Sequence, residues 1–327
     1  MFRLVRSLPL LVLACALSAC VSSTPYVDTL DESHFHLFHR PDFKDPARQW
    51  EHVLALADAG KQKASAKQAY ALRLTWPEDG HAAEAQLRWA RWLDRRGKTA
   101  AAAEQYEFLL EHYPTSADFS SVLEDDMRLA RTLFRRRAGK FLFFPGVDMS
   151  EKSIPHFEFI VKTAPEGELA AEALLLAGKA HEAAYDYPEA IDSYLACFNR
   201  FPASPFAEDA LFSQVRCHRT LADDAPNDER ALDFARASAA RYLAHFADGA
   251  NASTVRAWLS DIRSRQERRA FDRAEYYDRI LKRPLSARIA YEDFLQAFPH
   301  GRLADAARIR LATPPESPAP TAPGDKR

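Results

Sequence analysis

Leu87-Arg88-Trp89-Ala90-Arg91-Trp92-Leu93-Asp94-Arg95-Arg96 returns forty residues later as Met127-Arg128-Leu129-Ala130-Arg131-Thr132-Leu133-Phe134-Arg135-Arg136. Recurrence at this spacing marks a helical-repeat solenoid, in which no unit buries its own apolar face and each stacks on its neighbours. Stacked helix pairs make a binding surface rather than an enclosed pocket for chemistry. The phrase sets arginines at i, i+3 and i+7, on one face of a helix. Arg88, Arg91 and Arg95, with Arg128, Arg131 and Arg135, are therefore expected to line the inner surface and to bind a partner. Arginine offers a planar fork for carboxylates and a flat face for aromatic rings, so the expected ligand is an extended segment with aromatics and a free C-terminal carboxylate. Asp94, Glu124, Asp125 and Asp126 leave open the alternative of a solvated, self-neutralised face.

A second signature extends the repeat over most of the chain. Counting from a proline, an apolar or His residue follows at +4, Ala at +5 and Ala at +8: from Pro77 (His81, Ala82, Ala85), Pro165 (Leu169, Ala170, Ala173), Pro202 (Phe206, Ala207, Ala210) and Pro299 (Leu303, Ala304, Ala307). Small residues three apart let two helices approach closely, and a proline ends the helix before it because its predecessor disfavours helical angles. Each proline marks a joint between units.

Within the units the spacing resembles the tetratricopeptide repeat, a ~34-residue helix-turn-helix. Gly178, Tyr187, Ala190, Tyr194 and Pro202 form the clearest copy, and Ala90, Gly97, Ala102, Tyr106, Leu109 and Pro114 an earlier one. A third second-helix reads Phe157, Ile160, Pro165, after an insertion Lys140-Phe141-Leu142-Phe143-Phe144-Pro145-Gly146, which is expected to pack back on its own repeat. The expected fold is all-α, a right-handed superhelical solenoid of about six tetratricopeptide-like helix pairs over 46–312 with a C-terminal capping helix.

The start of the chain points to export. A basic Met1-Phe2-Arg3-Leu4-Val5-Arg6 precedes an apolar stretch from Leu8 to Leu17, too short for a permanent membrane helix. Leu17-Ser18-Ala19-Cys20 then resembles a bacterial lipobox, which makes 1–19 a lipoprotein signal peptide and Cys20 the lipidated residue. By the sorting rule of such lipoproteins, Val21 in the following position directs the chain to the outer membrane, on its periplasmic face, held through the lipid anchor only. Residues 20–45 read as a tether and 313–327, rich in Pro and Ala, as a disordered tail.

The composition bounds the chemistry. With 44 Lys and Arg against 46 Asp and Glu, bulk charge gives no support for nucleic-acid binding. Ten glycines and no Gly-rich loop leave no phosphate or cofactor motif, and no nucleophile elbow or metalloprotease helix is present, so neither enzymatic activity nor a small-molecule substrate is expected. No resident metal is expected either, because His34, His36 and His39 lack further ligands in register and the other histidines are scattered one per helix. Cys197 and Cys217 fall on neighbouring helices, where a disulfide is sterically conceivable and two buried thiols filling small positions is the favoured state.

The last third completes a family resemblance. Trp258-Leu259-Ser260-Asp261 opens a long basic helix, Ala274-Glu275-Tyr276-Tyr277 follows, and Ser286-Ala287-Arg288-Ile289-Ala290-Tyr291-Glu292-Asp293-Phe294-Leu295 precedes Phe298-Pro299. With the lipobox and the tandem repeats, this resembles the BamD family, lipoproteins of the outer-membrane β-barrel assembly machine. The resemblance implies a non-enzymatic scaffold that holds a barrel-assembly membrane protein through its C-terminal repeats and receives unfolded outer-membrane proteins in its N-terminal ones. The family often carries an arginine where Ala290 stands, and Arg288, two residues earlier, falls on a different helical face. A repeat lipoprotein that scaffolds cell division or peptidoglycan synthesis has the same fold and a different partner.

Overall fold

The computed structural model describes residues 40–115, 118–138, 147–148 and 150–313. Among the described residues thirteen α-helices form six successive hairpins and a cap: α1 (Pro46–Asp58) with α2 (Gln62–Thr75), α3 (Ala82–Arg95) with α4 (Thr99–His112), α5 (Phe119–Phe134) with α6 (Ile154–Thr163), α7 (Glu168–Ala183) with α8 (Tyr187–Arg200), α9 (Ala207–Asp224) with α10 (Glu229–His245), α11 (Ala252–Glu275) with α12 (Pro284–Ala297), and α13 (Ala304–Ala312). Each helix packs chiefly on its sequence neighbours, which is the quasi-one-dimensional arrangement of an all-helical repeat solenoid. Among the described residues no helix is long and apolar enough to cross a membrane.

The alanines at +5 and +8 from each joint lie in the core. Ala82, Ala85, Ala170, Ala173, Ala207, Ala210, Ala304 and Ala307 are all buried. Every second helix ends in the same way, with a C-cap residue near φ −130° whose N–H donates to the carbonyl four residues back: Trp76, Tyr113, Ala164, Phe201, Phe246 and Phe298. Five of the six precede a proline. The sixth, Phe246, precedes Ala247, and Ala252 still lies buried five residues on. Packing therefore defines the joint, and proline reinforces it.

A large ring fills each second helix after the first. Tyr106, Phe157, Tyr194 and Tyr242 are fully buried and Tyr291 nearly so, stacked between the first helices of their own and the next pair. Gly178 shows why its place is small: a Cβ there meets the Tyr194 ring at 2.6 Å. The hairpin turns of the first and second pairs pass through the left-handed region at Gly60 and Gly97, while the fourth places Tyr185 there at φ +62°.

The third pair is interrupted. Arg137–Ala138 pairs antiparallel with Val147–Asp148, and a short 3-10 turn, Ser150–Ser153, leads into α6. The Lys140–Gly146 segment itself lies outside the described residues, as do the signal segment, Cys20, His34, His36, His39 and all of the tail after Thr313. Cys197 and Cys217 are free and buried. Burial pushes their thiols up to about 11 and about 12 respectively, and the Cys197 thiol donates to the Ala171 carbonyl at 3.3 Å.

Candidate partner-binding surfaces

Two surfaces gather arginines. The first is the set of first helices in the N-terminal half, where the repeated phrase falls on α3 and α5. Arg128 reaches back to Asp94 of α3 at 2.6 Å and along its own helix to Asp125 at 3.0 Å. Arg131 reaches forward to Glu172 of α7 in a two-point contact of 2.7 and 2.5 Å. Arg88 lies half-buried with its guanidinium 5.4 Å from the Trp50 ring and 3.6 Å from Glu84. Arg91, Arg95 and Arg135 are exposed and make no side-chain bond among the described residues. The six arginines expected to line one open groove are thus divided: Arg128 and Arg131 tie successive units together, and only three remain free toward solvent.

The ties continue along the solenoid. Lys179 of α7 meets Asp209 of α9 at 2.6 Å, and Arg216 of α9 returns to Glu182 of α7 with both contacts at 2.8 Å. Glu182 also accepts from the buried Tyr194 hydroxyl at 2.7 Å. Burial raises this carboxyl, but the bonds from Arg216 and Tyr194 outweigh burial and hold it below the ordinary range. Arg265 of α11 reaches Asp223 of α9 at 2.5 Å, and Arg219 lies 4.8 Å from the Trp258 ring. Near α3 and α5 the Tyr106 phenol is pushed up to about 12, by burial first and then by Asp125 and Asp94, against the opposing charges of Arg91 and Arg128.

The second surface is concave and lies between α10, α11 and α12. A cavity of about 1500 Å³ is bounded by seven arginines, Arg236, Arg256, Arg263, Arg269, Arg273, Arg283 and Arg302, against Glu229, Asp233, Glu267 and Asp293. Several of these charges are matched internally. Arg273 pairs with Glu229 at 3.3 Å, Arg236 with Asp233 at 4.0 Å, and Glu267 accepts the Leu303 N–H at 2.7 Å. Arg256 donates to the Ala247 carbonyl. Arg263, Arg269, Arg283 and Arg302 have no side-chain partner among the described residues, and one terminal nitrogen of Arg269 is buried without one.

An elbow beside this cavity adds apolar surface. After α11 the chain makes a π-helical turn, Tyr276–Ile280, closed by Leu281 N–H to the Tyr276 carbonyl at 3.0 Å, and Lys282 then takes φ +49°. Among the described residues ten large apolar side chains are exposed, and five of them, Tyr276, Ile280, Leu281, Leu285 and Ile289, belong to this elbow and the start of α12. Ala290 lines the cavity, whereas Arg288 turns away from it and pairs with Glu292 at 2.9 Å.

Comparison with known proteins fits the register of these pairs. The family model of the tetratricopeptide repeat matches residues 84–116 and 172–204, which are the α3–α4 and α7–α8 hairpins. Those two stretches are tetratricopeptide repeats. No curated protein matches the chain. Solved structures similar to it include the C-terminal part of a tetratricopeptide-repeat protein from Cytophaga hutchinsonii, at 12% identity over 81% of this chain and 88% of that one with a TM-score of 0.33. A tetratricopeptide-repeat protein from Parabacteroides merdae is 14% identical over 81% and 97%, with a TM-score of 0.30. The MamA RS-1 ArsTM double mutant is 12% identical over 58% and 90%, with a TM-score of 0.29. Tetratricopeptide repeats bind protein partners; the arginine-lined concavity, over 229–302, lies outside the two matched stretches.

Proposed function

We propose that this chain is a non-enzymatic scaffold of outer-membrane β-barrel assembly, held at the periplasmic face of the outer membrane by lipid on Cys20. Its C-terminal cavity docks a barrel-assembly membrane protein. The observation that carries the reading is the group Arg263, Arg269, Arg283 and Arg302, unpaired at a concave surface beside an exposed apolar elbow. Guanidinium groups without internal partners select a segment bearing carboxylates, and contiguous exposed apolar surface is characteristic of an interaction site. Arg91, Arg95 and Arg135, free on the α3 and α5 faces, are left for weaker contacts with unfolded outer-membrane proteins. The resemblance to BamD over roughly 45–312, with the motifs of 258–299, the repeats and the lipobox together, supports this choice of partner, and the lipobox supports the address.

Affinity purification from envelopes tests the partner. Recovery of a barrel-assembly protein supports this reading, and recovery of division or cell-wall proteins instead replaces it with the other envelope scaffold. Cys20→Ala is expected to abolish incorporation of radiolabelled palmitate; incorporation into the variant would remove the anchor from the account.

A further inference from the structure

The first three hairpins carry matched polar residues at one position of each first helix and one of each second helix. The register of the repeated phrase aligns Gln86 with Asp126, and the buried Tyr106 and Phe157 align Gln105 with His156. The same register places Gln49 and Gln68 at these positions in the first hairpin. Two hairpins are self-sufficient. Gln49 donates through Nε2 to the Gln68 carbonyl at 3.2 Å and to Gln68 Oε1 at 2.7 Å. Gln86 repeats this with Gln105, both contacts at 3.1 Å, and its own oxygen accepts from Arg73 Nε of α2 at 3.0 Å.

The third hairpin breaks both parts of that arrangement. The Asp126 side chain has no N–H to donate, is fully buried, and neither of its carboxylate oxygens has a hydrogen-bond partner among the described residues. Leu110 occupies the register position of Arg73, and what α4 presents instead is an anion: Glu107, whose Oε1 lies 2.5 Å from His156 Nδ1. The ligand atoms of Glu107, Asp126 and His156 lie within 4.8 Å of one another. Burial first, and Glu107 second, push the Asp126 carboxyl well above the ordinary carboxylate range. A cation stands at this place in the second hairpin and is missing in the third, where an additional carboxylate has appeared.

We propose that Glu107, Asp126 and His156 bind one divalent transition-metal ion, with zinc(II) the best match, which links α4, α5 and α6. Two carboxylates balance one dication, so the ion stands where Arg73 supplies the cation in the preceding hairpin, neutralises the two carboxylates and gives the buried oxygens of Asp126 a partner. One imidazole nitrogen and two carboxylate oxygens suit zinc, whereas calcium takes six to eight oxygens. Coordination at about 2.0–2.2 Å sets ligand atoms about 3.3–3.6 Å apart in a tetrahedral shell, inside the present spread, and opens the Glu107–His156 contact by about 1 Å. Water completes the fourth position. The ion crosses the joint between the second and third hairpins and bridges α5 to α6, the two helices that the insertion separates.

The test uses the full-length protein stripped with a chelator. Zinc(II) at about 100 times its dissociation constant is expected to raise Tm by about 5 °C, with about one zinc bound per chain by elemental analysis. Asp126→Asn keeps the shape and provides the amide that Gln49 and Gln86 provide. This variant is expected to melt at or above the metal-free wild type and to lose the zinc-dependent rise. If Asp126→Asn does not fold, His156→Gln, which restores the second-helix amide, carries the same comparison. An undiminished zinc response in the folded variant places the ion elsewhere, at His34, His36 and His39 for example, and overturns the proposal. Wild type that retains no zinc and shows no rise overturns it in favour of a protonated Asp126.

Discussion

The two arginine-rich regions of this solenoid use the same side chain in opposite ways. On α5 and α9 the guanidinium groups of Arg128, Arg131 and Arg216 are closed onto carboxylates of adjacent first helices and work as struts between units. Around the C-terminal cavity Arg263, Arg269, Arg283 and Arg302 face an open concavity without such partners. The difference teaches that a recurring residue can serve stacking, as Arg128 and Arg131 do, or be left to solvent, as Arg95 and Arg135 are in both copies. The unpaired guanidinium groups that share a concave surface, Arg263, Arg269, Arg283 and Arg302, lie in the C-terminal third, outside the repeated phrase.

The strut lattice is anchored on buried rings, and the largest expected effect breaks one of them. Tyr194→Ala removes a fully buried ring and the Tyr194–Glu182 bond, and is expected to cost about 4 kcal/mol, read as a lower denaturant midpoint. Binding per folded molecule should be retained, because the lesion is far from the cavity in sequence and packing. Partner affinity lost in proportion to this change would merge the two regions into one.

Replacing Arg263, Arg283 and Arg302 together with alanine separates them from the other side. Affinity for the purified partner is expected to fall by about 2–3 kcal/mol, while stability stays within about 0.5 kcal/mol because all three side chains are exposed and unpaired. Calorimetric titration and thermal melts of the same samples check both halves.

Arg131→Ala is the reciprocal change. Its contact with Glu172 is two-pointed and half-buried, so about 1 kcal/mol of stability should be lost, with affinity unchanged. Equal affinity losses from Arg131→Ala and from the cavity variant would show that the first surface also binds the partner.

The smallest effect is a pH dependence. The folded-state Glu182 carboxyl lies below its unfolded value, so it binds its proton less readily when folded. Its stabilisation is full above the ordinary glutamate value of 4.5 and is lost as pH falls through the folded value. Glu182→Gln is therefore expected to narrow the stability gap to wild type as the solution is acidified, measured by urea midpoints from pH 6 downward. A constant gap across that range would mean that the Arg216–Glu182–Tyr194 group does not couple α7 to α9 through charge.

Much of the fold was legible because a few small residues determine it. The Ala pairs after Pro77, Pro165, Pro202 and Pro299 mark where helices touch, and all of them are buried. The joint at Phe246 was hidden because Ala247 replaces the proline and Val255 the alanine at +8, although Ala252 keeps the alanine at +5 and both are buried. The arginine faces were legible as faces but not as struts, since the acceptor of Arg131 is Glu172, on the far side of the insertion. The cavity was hidden for a similar reason: Arg283 and Arg302 come from connecting segments and join α11 only once the elbow has turned. Arg256, Arg263 and Arg273, seven and ten residues apart along α11, were the available signal. The Glu107–Asp126–His156 group joins three helices across forty-nine residues, a separation at which spacing carries no information.

Site-specific photo-crosslinking in the cells that make this chain tests the central claim most directly. A photoreactive residue in place of Arg283, at the mouth of the cavity, is expected to capture the same protein that co-purifies from the envelope, and mass spectrometry should identify it as a barrel-assembly membrane protein. Crosslinking of that co-purified protein only from Arg95, on the α3 face, with no adduct from Arg283, would contradict the account.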